Sequence, residues 1–400
     1  MSKIIRFIKH NTVLVIAGIL AVISCFLVLP DSKYPGYINL KVLSILFCLM
    51  LIVSCLVRLG VFDMLTRFLL ARFHSLTNIS LLFTIISFFM GMFLTNDVTL
   101  VTMVPFALMV LVNFDNKRVT ATTMVLMTIS ANLGSMLTPL GNPQNLYLYS
   151  KYEYSLMDFI LLMLPYSGLS LFLLIVCVFV FCRGKKATDI SLSECSDIVS
   201  DNNEDVSPES AGGEVNSSHH EHLGPWKMIK FLIYISLFTV SLLTVGHVID
   251  YKITFVITAV IVLILDIKAY KGVDYSLLVT FLFFFVLTGN LGRIKEVTDA
   301  MCHILDAKPV LTAVGASQII SNVPAAMLLS TFTDNGEALI IGTNLGGLGT
   351  IIASMASLIT YRFYGKYKTD NDLKDHYLLK FTIYNIVFLA ALYGMYIFIH

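Results

Sequence analysis

The side chains best suited to bind a small solute are the amides and hydroxyls of residues 131–145, which read ANLGSMLTPLGNPQN. This stretch lies inside a long apolar run, residues 119–149. Its prolines remove backbone donors, its glycines weaken a helix, and its amide side chains are costly in hydrocarbon. Irregular backbone survives in a membrane only where protein or a wet cavity surrounds it. The stretch is therefore predicted to be a broken transmembrane helix around a binding site.

A second stretch, residues 343–350 (TNLGGLGT), repeats this pattern in another apolar run. Overlaying the two stretches pairs Asn132 with Asn344, Gly134 with Gly346, Thr138 with Thr350, and Asn142 with Ser354. Upstream of each break two apolar arms flank a polar tip, which reads Thr95-Asn96-Asp97 in the first copy and Ser321-Asn322-Val323 in the second. Interrupted membrane segments in matching positions are the best sequence pointer to the binding site of a transporter.

The candidate residues for binding a substrate or an ion lie at the two tips and the two breaks. They are Thr95, Asn96, Asp97, Asn132, Gly134, Ser135, Thr138, Gly141, Asn142, Gln144, Asn145, Ser321, Asn322, Thr343, Asn344, Gly346, Gly347 and Thr350. Broken helices present N–H groups that suit an anion and carbonyls that suit a small cation. We expect a Na⁺ ion near Asn96, Asn322 and Gly141. No transition-metal site, no catalytic residue and no cofactor beyond Na⁺ or H⁺ as the coupling ion are predicted.

Asp97 is the one carboxylate that the sequence places at this site. A carboxylate at membrane depth is costly, which makes it a functional candidate. It could ligate a cation or carry a proton. The alternative is that Asp97 only caps the second arm of the first hairpin, as acidic residues do at helix N-termini.

Composition identifies a polytopic membrane protein. Of the 400 residues 57% are hydrophobic and only 13% are charged, and the mean hydropathy is +0.82. Soluble domains contain about 25% charged residues, and several apolar runs here are long enough to span a bilayer. The net charge of +1 gives no reason to expect a nucleic acid partner. The seven cysteines show no paired metal-binding spacing and are interpreted as packing residues.

The predicted fold is all-α and polytopic, with about nine full crossings and two hairpins. An N-terminal membrane half covers 1–182, with a first repeat at about 39–182. A disordered cytoplasmic linker is predicted at 183–227 from its Ser, Asn and acidic residues. A C-terminal half covers 228–400, with a second repeat at about 274–400.

Basic residues set the predicted orientation in the plasma (inner) membrane, because cytoplasmic loops are rich in Lys and Arg. Lys3, Arg6 and Lys9 put the N-terminus in the cytoplasm. The following charged loops make the second half an inverted copy of the first and leave the C-terminus outside. Amphipathic helices are expected at 61–73 and 293–305, lying along opposite membrane surfaces.

The tips Asn96 and Asn322, followed by Ala-Asn-Leu-Gly and Gly-Asn-Pro-Gln-Asn, resemble the ion transporter superfamily. That group contains the divalent anion:sodium symporters, the citrate-transporter-like permeases and the arsenite permeases, and the resemblance covers nearly the whole chain except 183–227. It implies two inverted repeats, each with a re-entrant hairpin and a broken helix, a homodimer in the lipid membrane, and elevator-type movement. The solute would be a small anion or oxyanion.

The resemblance is not uniform within that group. In the dicarboxylate symporters both tips read Ser-Asn-Thr, and the threonines help to bind substrate carboxylates and sodium. Here Asp97 and Val323 stand at those positions. The segment Gly-Asn-Pro-Gln-Asn is similar to the arsenite permeases and the sodium/proton antiporters.

Three functions are consistent with these residues. The first is secondary active transport of a small anion, citrate- or dicarboxylate-like or arsenite-like, coupled to a Na⁺ or H⁺ gradient by alternating access. The second is a Na⁺/H⁺-type cation antiporter that uses Asp97. The third is an intramembrane enzyme, which is disfavoured because amides, rather than a His, Asp or Ser/Lys cluster, dominate at membrane depth. The chain lacks a P-loop, which excludes direct drive by ATP from this polypeptide.

Overall fold

The computed structural model describes residues 12–61, 64, 75–112, 114, 116–182, 225–246, 248–370 and 376–400. Within these ranges the protein is helical and has no β-strand, which confirms the predicted all-α membrane fold. Nearly all of the linker predicted at 183–227 lies outside the described residues, and so does most of the amphipathic helix predicted at 61–73.

The described helices are numbered here in the order of the chain. In chain order they are α1 (Thr12–Leu27), α2 (Tyr34–Tyr37), α3 (Leu40–Arg58), α4 (Leu76–Phe93), α5 (Asn96–Val112), α6 (Lys117–Ser135), α7 (Pro143–Lys151), α8 (Leu156–Phe181), α9 (Pro225–Val245), α10 (Tyr251–Leu265), α11 (Tyr275–Leu291), α12 (Lys295–Ala307), α13 (Pro309–Ile320), α14 (Asn322–Leu329), α15 (Gly336–Leu345), α16 (Met355–Asp370) and α17 (Tyr377–Ile399). A 3₁₀ helix, Ile267–Gly272, follows α10.

These helices form two compact units, and each unit takes segments from both halves of the sequence. Unit 1 is built from the described parts of Met1–Gly60, Val206–Lys308 and Met327–Asp334. Unit 2 is built from the described parts of Val61–Asp205, Pro309–Ala326 and Asn335–His400. Both predicted breaks and both tips therefore fall in unit 2.

Unit 1 packs α1 against α11, and α3 against α9 and α10. Buried polar groups join these helices: the Asn290 amide donates to Ser24 Oγ at 2.9 Å. At the end of α3, Arg58 Nε lies 2.8 Å from Asp266 Oδ2, and both side chains are largely buried. Because an unpaired charge would be costly there, this ion pair fixes the end of α3 against the 3₁₀ helix.

Unit 2 is organised around α6, whose residues from Val119 to Ser135 are all buried. Helix α4 approaches α6 so closely that backbone meets backbone. A Cβ atom at Gly91 would lie 2.7 Å from the Ala131 carbonyl oxygen, and one at Gly134 would overlap the Phe88 carbonyl oxygen. The contact is possible only because both positions lack a side chain.

The two broken helices begin in the same way. Asn116 opens α6 by accepting the N–H of Val119 at 3.2 Å. Asn335 opens α15 by accepting the N–H of Ala338 at 3.0 Å. An Asn at this position satisfies a backbone donor that the helix cannot, and it stabilises a helix by about 1 kcal/mol. The start of each broken helix is therefore encoded locally.

Among the described residues five helices, α3, α4, α8, α9 and α17, are long and apolar enough to cross a membrane. Helices α11 and α12, bent by 100° at their junction, would add one more span as a pair. Helix α12 covers the amphipathic helix predicted at 293–305. Apolar helices α1, α5, α10 and α13 are shorter. The number of crossings, the re-entrant path of the hairpins and the inverted order stay predictions.

Candidate functional site

The first tip is tied to the first break by the backbone. Helix α4 ends at Phe93 and α5 begins at Asn96, so the turn between them is short. The Asn96 N–H donates to the Gly141 carbonyl at 3.2 Å. Gly141 lies in the non-helical segment between the end of α6 and the start of α7. The predicted break is thus confirmed as an interruption of the helix, and the hairpin tip contacts it directly.

The second tip makes the same bond. The Asn322 N–H donates to the Ala353 carbonyl at 3.1 Å. Ala353 lies between α15 and α16, and the overlay that pairs Asn132 with Asn344 also pairs Gly141 with Ala353. The internal repeat seen in the sequence is therefore repeated in the hydrogen bonds of unit 2.

Two further kinds of hydrogen bond occur in both copies of the repeat. The amide oxygens of Asn96 and Asn322 each accept the next backbone N–H at 2.9 Å. The hydroxyl of Thr138 donates to the Met92 carbonyl, and that of its counterpart Thr350 donates to the Gln318 carbonyl at 3.3 Å. Each break is therefore held at the tip and also at the arm that precedes it.

The second tip carries local strain. Ser321 has a φ of 73°, in the left-handed region that non-glycine residues rarely occupy. Such a backbone conformation costs about 1–3 kcal/mol and persists only where the surroundings impose it. Here the Ser321 hydroxyl donates to the Ala353 carbonyl at 3.2 Å, next to the backbone bond of Asn322. The strain is offset by this double attachment of the tip to the break.

Asn132 joins both copies of the repeat. Its amide oxygen accepts from the Asn96 amide at 2.8 Å and from the Ser354 hydroxyl at 2.9 Å. A second link connects the breaks, because the Asn344 amide donates to Asn145 Oδ1 at 2.7 Å. The first tip, the first break and the second break thus meet in one hydrogen-bonded group, which together with the neighbouring Gln144 we call the amide cluster: Asn96, Asn132, Ser135, Asn142, Gln144, Asn145, Asn344 and Ser354.

Ser135 extends the amide cluster at the end of α6. Its hydroxyl accepts from the Asn142 amide at 2.7 Å and donates to the Asn132 carbonyl at 2.8 Å. The Asn145 amide donates to the carbonyls of Ser135 and Thr138 at 3.2 and 3.3 Å. These bonds satisfy the carbonyls that the end of a helix leaves without partners.

Several amide atoms of the cluster are buried without a hydrogen-bond partner in the described part of the protein. They are Nδ2 of Asn132, Oδ1 of Asn142, Oδ1 of Asn344, and both Nε2 and Oε1 of Gln144. The Gln144 side chain is only 1% exposed. Buried polar groups are nearly always satisfied, so a set of unsatisfied ones needs a partner from outside the chain. The cluster offers both donors and acceptors to such a partner.

The remaining predicted residues have other roles. Thr343 donates to the Leu339 carbonyl of its own helix at 2.7 Å. A Cβ at Gly141 would overlap the Ser135 carbonyl oxygen, and one at Gly346 would lie 2.5 Å from Ser317 Oγ. Gly134 and Gly346 therefore allow close packing of helices, whereas a Cβ at Gly347 would lie 3.2 Å from Asn322 Nδ2. A role of these glycines in ligand binding stays a prediction.

Asp97 lies half-buried in the first turn of α5. The Val98 N–H of this turn points to the Thr95 hydroxyl at 3.5 Å. Thr95 thus occupies the capping position, and Asp97 lies two residues later within the first turn, where the positive end of the helix dipole favours a carboxylate. The coupling role and the structural role of Asp97 both remain open.

Two contributors were missing from the predicted site. Ser354 binds Asn132, and its position opposite Asn142 in the overlay was the signal that could have identified it. Gln318 lies in the arm before the second tip and contacts the second break. A glutamine in an apolar arm was the only sequence signal for it.

Comparison with known proteins agrees with this architecture. A family model described as citrate transporter matches residues 2–335. An uncharacterized transporter of Methanocaldococcus jannaschii is 31% identical over 331 residues, which cover 80% of each chain. The inner membrane protein YbiR of Escherichia coli is 27% identical over 351 residues, covering 85% of this chain and 84% of its own. The family model, which covers most of the chain, and the relative from Methanocaldococcus jannaschii show that the chain belongs to the citrate transporter family of membrane transport proteins.

Proposed function

We propose that the protein is a secondary active transporter of a small anion, citrate- or dicarboxylate-like or arsenite-like, coupled to a Na⁺ or H⁺ gradient. The observation that carries this proposal is the set of unsatisfied buried amides where both breaks and the first tip meet. Family membership supports a small solute as the substrate. The identity of the solute and of the coupling ion is our inference from the chemistry of the cluster.

The amide cluster can bind an anion without a basic side chain. Asn132 Nδ2 and Gln144 Nε2 are donors without a protein partner. The N-terminus of α7 begins at Pro143, next to these groups, and its dipole adds partial positive charge. Oxygen acceptors on Asn142 and Asn344 would receive hydroxyl protons of the solute. Such a site suits a partly protonated or hydroxylated oxyanion.

A small cation would be held by the backbone at the first break. Gly141 contributes a carbonyl there, and this carbonyl accepts the Asn96 N–H, which puts the tip within reach. A Na⁺ ion near Asn96, Gly141 and Asn322 would then neutralise the anion. The alternative, a Na⁺/H⁺-type antiporter, would use the carboxylate of Asp97 for either ion.

Unit 2 would be the moving part of an elevator-type mechanism. All of the described residues of the amide cluster and both tips fall within it. A unit that carries a complete site can move its solute across the membrane without taking that site apart. We further propose a homodimer in the plasma membrane, with a cytoplasmic N-terminus and an external C-terminus.

Transport into vesicles tests the proposal. Purified protein in proteoliposomes would be given labelled citrate, succinate or arsenite, with Na⁺ and pH gradients imposed separately. We expect one class of solute to accumulate under one gradient and not without it. Ion exchange in vesicles that contain no organic or oxyanion solute would support the antiporter instead. Failure of all three solutes under both gradients would contradict the proposed substrate classes.

A further inference from the structure

Gln318 fills the second break with its amide group. From α13, Nε2 donates to the carbonyls of Gly346 and Leu348 at 2.9 and 2.8 Å, and it lies 3.3 Å from the Val314 carbonyl. The amide oxygen accepts the Thr350 N–H at 2.9 Å. One side chain thus satisfies the backbone on both sides of Gly349, in the segment where α15 is unwound.

Gly349 is the residue that makes room for this amide. Its φ is +112°, a conformation that residues with a side chain rarely adopt. A Cβ atom there would overlap the Gln318 amide oxygen. The backbone conformation and the position of the amide are therefore matched, which indicates a built feature of the break.

The first break lacks this arrangement. The overlay puts Leu137 opposite Gly349, and the hydrogen bonds of the two threonines put Met92 opposite Gln318. The side chains of methionine and leucine have no N–H group to offer, and the side-chain donor at the first break is instead Asn145, whose amide donates to the carbonyls of Ser135 and Thr138. The Gly134 carbonyl, which corresponds to that of Gly346, accepts the backbone N–H of Leu137 at 3.2 Å instead. The two breaks are thus related in sequence, but different donors satisfy their backbone carbonyls.

Three carbonyl oxygens that point at one spot create a negative potential, and a small cation or an N–H group is what satisfies it. The amide nitrogen of Gln318 has two hydrogens and carries partial positive charge. We infer that Gln318 is a built-in substitute for a bound cation at the second break, so that this break is held in shape without an ion. Gln318 is accordingly a positioning residue and does not touch the solute.

The inference deepens the proposed function, on which its consequence rests. If the second break needs no ion, ion coupling would be confined to the first break, whose side-chain donor to the backbone, Asn145, belongs to the amide cluster itself. One repeat would then respond to the ion gradient, and the other would provide a fixed wall of the site. The repeat would have kept its geometry while its two copies took different roles.

Thermal unfolding of the purified protein in detergent tests this inference without solute or gradient. The variants Gln318→Ala and Gln318→Met would be compared with the unchanged protein in sodium, potassium and choline chloride at equal ionic strength. In choline chloride we expect both variants to unfold at a temperature several degrees below that of the unchanged protein. Gln318→Ala leaves room for a cation between the carbonyls, so sodium or potassium should restore most of its loss. Gln318→Met fills the same space without a donor. Replacing choline by sodium or potassium should therefore raise its unfolding temperature no more than it raises that of the unchanged protein.

Gln318→Glu provides a second test if the alanine variant does not fold. The carboxylate keeps an acceptor for the Thr350 N–H but faces the carbonyls without a donor. The unfolding temperature of this variant should therefore rise steeply when sodium or potassium replaces choline. Equal unfolding temperatures of all variants, or losses that no cation restores in Gln318→Ala or Gln318→Glu, would overturn the inference. Because the assay contains no solute, a negative transport result would bear on the proposed function alone.

Discussion

At the scale of single residues, Asn132 has the central place in the site. Its amide oxygen receives hydrogen bonds from Asn96 and Ser354, which belong to different copies of the repeat. Its amide nitrogen has no partner in the described ranges. An amide has both a donor and an acceptor, so one end can hold the protein together while the other binds a solute.

The tip asparagines provide the first prediction. We expect Asn96→Ala and Asn322→Ala each to weaken transport strongly while the protein still inserts into the membrane. Each change leaves buried partners unsatisfied, at about 1–3 kcal/mol, or roughly 5- to 150-fold in affinity. Uptake of the identified solute into proteoliposomes, normalised to the amount of inserted protein, is the measurement.

Asn385→Ala is a matched control for these variants. Asn385 is also a buried amide, but it donates to the Phe381 carbonyl of its own helix, α17, at 2.8 Å. Its loss should leave the apparent affinity for the solute unchanged. If Asn385→Ala reduced uptake as much as Asn96→Ala does, the effect would be a general consequence of deleting a buried amide.

Asp97→Asn separates coupling from structure. The variant keeps the size of the side chain but removes its charge, and Thr95 still occupies the capping position. We expect gradient-driven accumulation to be lost while exchange of solute across the membrane persists, because exchange needs no net movement of the coupling ion. Accumulation at the unchanged rate would remove Asp97 from the coupling site.

Much of the amide cluster could be predicted from residue types alone. Asn132, Asn142 and Asn145 stand out because amides within an apolar run need partners at membrane depth. Gln318 could not be identified as a partner of the second break, because it binds backbone carbonyls. Every residue has such a carbonyl, so residue types do not show which ones a side chain binds. The sequence signal for it is a glutamine within an apolar arm, and the hydrogen bonds of Thr138 and Thr350 relate this glutamine to Met92 in the first copy.

At the scale of elements, the main feature is the attachment of each hairpin tip to the break that follows it. The N–H of Asn96 and that of Asn322 bind the equivalent carbonyls of Gly141 and Ala353. Sequence overlay predicted the pairing of the breaks but not these bonds. Their donors and acceptors are backbone atoms, so only the folded path of the chain shows which carbonyl each tip meets.

Packing of α4 on α6 provides a prediction at this scale. We expect Gly134→Ala to destabilise the protein by about 1–3 kcal/mol, because its Cβ would overlap the Phe88 carbonyl and the helices would have to move apart. Thermal unfolding of the purified protein in detergent measures the loss. Gly168→Ala, in α8, is the matched control, since nothing lies within 4 Å of the Cβ it would add.

The control should be neutral or slightly stabilising, because Ala favours a helix over Gly by about 1 kcal/mol. A Gly134→Ala variant as stable as the unchanged protein would show that α4 and α6 can separate freely. The close approach would then be no constraint on the position of the first break.

At the scale of the whole molecule, the two compact units draw on both halves of the chain. Composition predicts the boundary between the halves at the polar residues 183–227, which lie almost entirely outside the described ranges. It could not show which helices pack together, because a helix that is apolar all round has no face that identifies its neighbours. Assignment of helices to units therefore required the three-dimensional contacts.

The predicted inverted arrangement of the repeats can be tested through the topology of the chain. Positive charge at Lys117 and Arg118 and negative charge at Asp334 and Glu337 predict that the starts of α6 and α15 lie on opposite sides of the membrane. Single cysteines at Asn116 and Asn335, in a background without native cysteines, should react differently with an impermeant reagent applied to intact cells. Only the second should be labelled, and equal labelling of both would contradict the inverted arrangement.

The mixing of both halves within unit 2 has a consequence for biosynthesis. Asn132 and Asn145 leave the ribosome long before Asn344 and Ser354, which are their partners in the finished protein. Until those partners arrive, a nascent N-terminal half contains a polar, unwound segment at membrane depth, which lipid alone cannot satisfy. A chain cut short before Ser354 would keep this defect permanently. Membrane quality control could therefore recognise truncated copies by the very amides that, in the complete protein, form the site.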